Sequence, residues 1–359
     1  MERIHQLSRS LIKKGHQCSV LATSHGWDQA FINEIKGLEA VSMPCISKRF
    51  MIPKGTTKWL NQNIGRFDIL HLAGNWSPIN VIAYGAARKN KIPYVFSAMG
   101  WLAIDGRSKS IKRIFQLLWT RPMVRDAQAV IAISPREVND YMRFGVSKEK
   151  IYLIPNGITT DSLNSKDDIA FRDRYGLDNR KIVLYIGRLS PIKGADLLVE
   201  AYSLIAKDFP DHQVLIFGND HGGFKAKLEK IIRMLNMQHY IKIFPPIFGI
   251  EKSWAYHAAE IYVIPSRYDT MTIVALEAAA CGCPVLITEN CDFSAIAKYG
   301  GGVNVACDRD NIADGLRNVL ANPNTRKKMG FEARKYVLEN YHWDNISDNF
   351  LRLFQDVLN

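Results

Sequence analysis

Short apolar runs rich in β-branched residues recur along the chain, with room for a helix between each pair. Residues 17–23, 67–74, 93–99, 129–134 and 151–157 form a first series of predicted strands, and 182–188, 212–218, 241–247, 261–267, 284–290 and 302–307 form a second. Several of them, such as "IVLYIGR" and "HQVLIFG", are continuously apolar rather than alternating. A strand of that kind is covered on both faces, as parallel strands between two layers of helices are. The pattern predicts an α/β protein with two doubly wound parallel sheets. The polar stretch 159–180 separates the two series and reads as a linker, placing one domain over 1–160 and the next from 161 onward.

The 359 residues suffice for two ordinary domains, and 47% hydrophobic with 23% charged residues is the profile of a soluble globular protein. No apolar run reaches the roughly 18 residues of a membrane-spanning helix. Arg3, Arg9, Lys13 and Lys14 punctuate the start, unlike a secretory leader. Six cysteines (18, 45, 281, 283, 291 and 307) contain no CxxC pair, and no His lies near the CxC of Cys281 and Cys283. They read as reduced, small buried side chains in a cytoplasmic protein, and no metal site is expected. The charge is uneven: residues 1–160 carry 23 Lys and Arg against 10 Asp and Glu, or +13, while 161–359 carry 24 against 25. A basic half suits nucleic acid, an anionic membrane or anionic substrates, and equally a well-solvated surface.

In a parallel sheet, ligands sit beyond the carboxyl ends of the strands. Two loops there carry chemistry. "GRLSPIKG" (187–194) begins with Gly187, which permits a tight turn, and sets Arg188 and Lys193 near the start of a helix at Ala195. Two cations at a helix N-terminus form an anion site suited to a diphosphate; the alternative is a loop with two solvated charges. "PSRYDTMTIVALEAAACGCPV" (265–285) follows another strand. Thr270 or Thr272 can cap its helix, and Gly282 and Pro284 end it. Glu277 is the only charge between Ile273 and Cys281, and a buried carboxylate needs a partner. That partner is a structural Lys or Arg, or else a pair of sugar hydroxyls. Asp269 stands before the helix, whose amides at Met271, Thr272 and Ile273 are placed to hold phosphate. Together the loops describe a nucleoside-diphosphate site with a carboxylate for the ribose.

These two motifs resemble the signature of the family 4 glycosyltransferases. "RSLIKKGHQCSVLAT" (9–23) is similar to that family's first helix and second strand, "YLIPNGI" (152–158) to the strand entering its hinge, and "FEARKYVLENYHWDNISDNFLRLFQDVL" (331–358) to its C-terminal helices. The resemblance implies the GT-B architecture, two Rossmann-like domains facing a central cleft. The first is the acceptor side (1–160, rejoined by the helix of about 343–359) and the second the donor side (161–342). It implies a retaining hexosyltransferase that uses a UDP- or GDP-sugar as substrate and needs neither cofactor nor metal. Arg188 and Lys193 would neutralise the leaving diphosphate, Glu277 would bind the ribose, and Asp269 would meet hydroxyls of the transferred sugar. The acceptor would be a lipid-linked or polysaccharide glycan, met at the inner face of a membrane.

The chain departs from the family pattern in four places. Asp269 replaces the usual Glu and shortens the reach by one methylene. Thr272 stands where many relatives have Gly. Met99, before Gly100 in "PYVFSAMGWL", replaces a His that contacts the donor sugar; His71 in "DILHLAGNW" is the other imidazole near a strand end. Met1, Glu2 and Arg3 already match the end of the family's opening glycine-rich loop, so a strand and that loop are expected upstream. These departures also allow an inactive relative that binds donor or a partner subunit. On the acceptor side, "GRSKSIKRIFQLLWTRPMVR" (106–125) sets Lys109, Lys112 and Arg113 beside Ile114, Phe115, Leu118 and Trp119. That is a basic amphipathic helix for an anionic membrane, or a helix with one core face and one solvated face. No nucleic-acid recognition motif is present, and the paired phosphate loops favour a small nucleotide.

Overall fold

All eleven apolar runs form strands in the computed structural model, which describes residues 2–25, 35–47, 49–100, 102, 104, 108–270 and 272–359. Several strands stop earlier than the apolar run does because proline cannot donate to the ladder. Ile241–Phe244 ends before Pro245, and Ala259–Ile264 ends before Pro265. The strands run β1 (Cys18–Thr23), β2 (Leu38–Met43), β3 (Cys45–Ser47), β4 (Ile52–Pro53), β5 (Leu70–Ala73), β6 (Tyr94–Ser97), β7 (Ala129–Ala132), β8 (Ile151–Leu153), β9 (Lys181–Ile186), β10 (His212–Phe217), β11 (Ile241–Phe244), β12 (Ala259–Ile264), β13 (Val285–Thr288) and β14 (Gly302–Val305). The chain divides into two compact units, residues 1–156 with 343–359, and residues 157–342.

In the first unit β5, β6, β7 and β8 form one parallel sheet, while β1 and β2 pair separately in parallel. The sequence points to one doubly wound sheet here. The strand that the resemblance makes central has no counterpart among the described residues, and both β1 and β5 are sheet edges. The helix Glu2–Lys13 and the C-terminal helix Trp343–Leu358 pack on one face through Leu7, Leu11, Ile346, Phe350 and Leu353. They are tied by a Ser10 Oγ–Ser347 Oγ hydrogen bond of 2.9 Å and a Lys14–Asp348 ion pair.

In the second unit six parallel strands run in the order β11-β10-β9-β12-β13-β14. The alternate residues of β9 serve two cores: Ile182, Leu184 and Ile186 face one, Val183 and Tyr185 the other. That is why the run is continuously apolar. The chain winds outward from β9 through β10 and β11, then restarts at β12 and winds the other way. The switch point therefore lies between β9 and β12, where a doubly wound sheet opens its binding crevice. The stretch read as a linker is structured: it contains the helix Asp168–Tyr175, whose Phe171 is fully buried in the core. Burial of one aromatic face in an otherwise polar segment is a signal that composition hides.

Candidate active site

Both chemistry-bearing loops leave strands at the switch point, "GRLSPIKG" after β9 and "PSRYDT" after β12. Gly194 holds φ +70°, and a Cβ there would stand 1.9 Å from the carbonyl oxygen of Pro265. Only glycine lets the two loops approach this closely. Gly187 sits in a tight place rather than in the turn expected of it. Its φ is not left-handed, and a Cβ would sit 3.0 Å from the Tyr185 hydroxyl. That hydroxyl donates to the Arg188 carbonyl at 3.0 Å and fixes the loop backbone.

The Arg188 side chain is exposed and, among the described residues, makes no hydrogen bond or ion pair. Lys193 donates to Asp269 Oδ2 at 2.6 Å, with 21% and 12% of the two side chains exposed. Asp269 is fixed at its backbone as well: its amide donates to Asn290 O at 3.2 Å, and its carbonyl accepts from the Asp292 amide at 3.2 Å. Burial pushes the Asp269 carboxyl above the usual range, and the neighbouring Lys193 and Arg188 charges oppose that push. The pair stands in the same crevice as an open guanidinium, so the loops bring together two cations and one carboxylate.

The helix Ile273–Ala280 ends as its sequence indicates. Gly282 adopts φ +76°, its amide donates to Ala279 O at 2.9 Å, and the Cys283 amide donates to Ala278 O at 3.0 Å. Its start differs. Thr272 occupies the cap position, yet its side chain accepts no bond from the helix. Among the described residues the amides of Thr272, Ile273 and Val274 make no hydrogen bond, which leaves donors at the positive end of the helix. Met271 lies outside the described residues.

Glu277 takes a structural cation and still keeps room for a ligand. Its Oε2 accepts from Lys252 Nζ at 2.5 Å and from the Tyr256 hydroxyl at 3.0 Å, whereas Oε1 has no partner among the described residues. Burial, then the Glu277 charge, holds the Tyr256 hydroxyl far above its ordinary pKa, so it stays a donor. Lys252 and Tyr256 went unnoticed in the sequence. They lie four residues apart on the helix Gly249–Ala258, a spacing that puts them on one face. Asp196 and Arg267 went unnoticed as well, although they lie three residues after Lys193 and two before Asp269.

The remaining candidates belong to the first unit. Met99 and Gly100 follow β6 with φ +57° and +81°. The Gly100 amide donates at 2.6 Å to Glu137 Oε1, a buried carboxylate that also accepts from the Ile133 amide at 2.8 Å. The turn is thereby rigid, but Met99 brings no polar group to it. His71 is not at a strand end: it is the second residue of β5, with its ring 5.7 Å from that of Phe350. Burial and the nearby Arg3 charge push its pKa down to about 3, so it is a neutral packing residue. Among the described residues no group of three or more His, Cys, Asp or Glu side chains is placed to hold a metal ion.

Comparison with known proteins identifies the family and the fold. Residues 2–162 match the family model described as Glycosyltransferase Family 4, and residues 167–336 the one described as Glycosyl transferases group 1. An uncharacterized glycosyltransferase of Methanocaldococcus jannaschii is 27% identical, with 97% of this chain and 92% of that one aligned. The GDP-mannose-dependent alpha-(1-6)-phosphatidylinositol monomannoside mannosyltransferase of Mycolicibacterium smegmatis is 30% identical, with 82% of this chain and 78% of that one aligned. Among solved structures, Anabaena HepE in complex with UDP and glucose superposes with a TM-score of 0.79 at 16% identity, over 99% of this chain and 95% of that one. With the doubly wound sheet of its second unit and the paired loops at the switch point, the chain belongs to the family 4 glycosyltransferases, two-domain GT-B proteins that transfer a sugar from a nucleotide-sugar donor.

Proposed function

We propose that this chain transfers a hexosyl unit from a UDP- or GDP-sugar to a hydroxyl group of a lipid-linked or polysaccharide glycan, with retention at the anomeric carbon. The observation that carries the reading is the open Oε1 of Glu277, held by Lys252 and Tyr256 in the unit whose switch point bears Arg188, Lys193 and Asp269. Ribose hydroxyls donate to that oxygen. Arg188, Lys193 and the free amides of Thr272 and Ile273 take the diphosphate. Asp269 receives hydroxyls of the transferred sugar.

In the reaction the bond from the anomeric carbon to the diphosphate oxygen breaks, and its electron pair stays on the diphosphate. The acceptor oxygen bonds to the same face of that carbon and passes its proton to the departing diphosphate, so no further protein base enters. Negative charge grows on the diphosphate, and the cations bind it more tightly in the transition state than before. The relatives support both nucleotides: the mycobacterial protein is named for GDP-mannose, and the Anabaena structure holds UDP.

The test is turnover of UDP-glucose and GDP-mannose by the purified protein, with the anomeric configuration of the product read by NMR. Arg188→Ala and Glu277→Ala are expected to lower turnover about 10²-fold or more. Wild-type protein that binds UDP or GDP yet turns over no sugar favours the inactive donor-binding reading, to which Met99 already points.

The acceptor half carries a surface suited to a lipid-borne substrate. In the segment 109–119 no residue is buried, and Ile111, Ile114, Leu117, Leu118 and Trp119 are 49%, 57%, 61%, 54% and 38% exposed among Lys109, Lys112 and Arg113. Phe115, partly buried, packs against the core of the first unit, and fully buried residues begin at Thr120, Met123 and Val124. Exposed aliphatic side chains beside lysines and arginines suit an anionic bilayer, which supports a peripheral position at the cytoplasmic membrane face. Among the described residues no helix is long and apolar enough to cross it. Binding to phosphatidylglycerol vesicles should weaken with salt, and equal binding to neutral phosphatidylcholine vesicles rejects the electrostatic part.

A further inference from the structure

The two loops of the switch point are fastened to each other by a side chain that the proposed chemistry does not use. Arg267 Nη1 donates to Pro191 O at 2.5 Å and to Asp196 Oδ1 at 2.9 Å, and Nη2 donates to Asp196 Oδ2 at 3.0 Å. The Arg267 amide donates to Ile192 O at 2.9 Å. Pro191 and Ile192 are the two residues before Lys193, in the turn Pro191–Lys193. Asp196 lies in the first turn of the next helix, with 8% of its side chain exposed. Four bonds from one residue thus hold both flanks of Lys193, and Gly194 closes against Pro265 on the same side.

We infer that Arg267 is a positioning residue, clamping the Pro191–Lys193 turn so that the Lys193 ammonium is held at the diphosphate position beside Asp269. A lysine chain has four rotatable bonds and finds an anion only as well as its backbone is aimed. The forked guanidinium sets that aim, because its parallel bonds to Asp196 and its bond to Pro191 O fix orientation as well as distance. Lysine at position 267 would keep a charge near Asp196 but could not reproduce the parallel pair of bonds to it. The inference rests on Lys193 meeting a diphosphate, as proposed above.

The test is a double-mutant cycle on nucleotide affinity by isothermal titration calorimetry. It uses wild type, Arg267→Lys, Lys193→Ala and the double variant, titrated with UDP and UMP (GDP and GMP if wild type prefers guanine). Arg267→Lys should weaken UDP about tenfold and UMP less than about twofold, because a clamp for Lys193 acts on the diphosphate. In the Lys193→Ala background the same substitution should change nothing further. Asp196→Asn loosens the clamp from its other side and should give the same pattern, with thermal midpoints confirming that each variant folds. A UDP loss that persists in full without Lys193, or falls equally on UDP and UMP, overturns the clamp while leaving the donor site standing. Wild-type protein that binds neither UDP nor GDP overturns the donor-site reading itself, and the clamp with it.

Discussion

Removing the Glu277 carboxylate separates its structural work from its work on a ligand. In Glu277→Ala the Tyr256 hydroxyl, on a fully buried residue, loses its acceptor, which costs about 1–3 kcal/mol. Lys252 loses an ion partner, but 20% of its side chain is exposed and water can take over part of that role, so its share is about 1 kcal/mol or less. The variant should therefore unfold about 1–4 kcal/mol more easily, and this loss falls on every ligand alike. The ligand term is different in kind. Hydrogen bonds from ribose hydroxyls to the charged Oε1 are worth about 1.5–3 kcal/mol each, so one such bond gives roughly 10- to 150-fold in affinity. Calorimetric titration with UDP and 2′,3′-dideoxy-UDP isolates it, with the guanine pair substituting if wild type prefers guanine. Wild type should prefer the ribose form by that factor, and Glu277→Ala should bind both forms equally. A preference that survives in Glu277→Ala, or that is missing from wild type, refutes the ribose assignment and leaves Glu277 as the internal partner of Lys252.

Four further outcomes are expected. Gly194→Ala should lower stability by about 3 kcal/mol or more, since a Cβ meets the Pro265 carbonyl at 1.9 Å in a left-handed backbone; an unchanged thermal midpoint contradicts the close approach. Arg188→Ala should leave stability within about 0.5 kcal/mol, because the exposed guanidinium has no protein partner among the described residues, while weakening UDP at least about tenfold; the reverse pattern makes Arg188 structural. Asp269→Asn removes a negative charge 2.6 Å from Lys193, so UDP should bind a few-fold tighter while turnover falls about 10²-fold; a parallel loss of both denies the acid its role on the sugar. His71, depressed to about 3 in the fold, stabilises the protein fully above its unfolded pKa of about 6.5, and this contribution is lost as the pH falls toward 3. Wild type should therefore lose about 2 kcal/mol relative to His71→Phe between pH 7.5 and pH 5, and equal losses in urea denaturation would rule out a neutral buried imidazole.

The strands were legible because their signal is local: a run such as "HQVLIFG" needs no knowledge of its neighbours to announce burial on both faces. β2 was missed because its residues, Leu38–Met43, mix apolar with acidic and small polar side chains, and of them only Met43 is buried. The pairing of Lys193 with Asp269 was half legible. Both residues stood out, and their loops were placed at the end of one sheet, but a contact across 76 positions depends on strand order. The switch point between β9 and β12 supplies that order, and nothing in either loop encodes it. Glu277 posed the sharper question, since the residues left a structural cation and ribose hydroxyls open. Lys252 answers for one oxygen because its helix lies beside the helix Ile273–Ala280, a packing no local pattern reveals. His71 misled for the opposite reason: a histidine in an apolar run looks chemical until its ring is found packed against Phe350.

Each acid of the site has its own lysine, Asp269 with Lys193 and Glu277 with Lys252, and on the proposed function this arrangement bears on whether an anionic ligand can enter. At an effective dielectric of about 20, an uncompensated carboxylate about 6 Å from a phosphate charge repels it by about 3 kcal/mol. Two such acids facing a diphosphate would cancel the attraction of two cations. Because the lysines neutralise the acids within the fold, the carboxylates remain available as acceptors for hydroxyls without opposing the phosphates. On that reading Lys193 would serve twice, balancing Asp269 while its two other protons stay available for phosphate oxygens. Arg188 makes no ion pair among the described residues, so in the proposed reaction it would supply the net attraction for a diphosphate at the switch point and steady the charge that grows there as the sugar leaves.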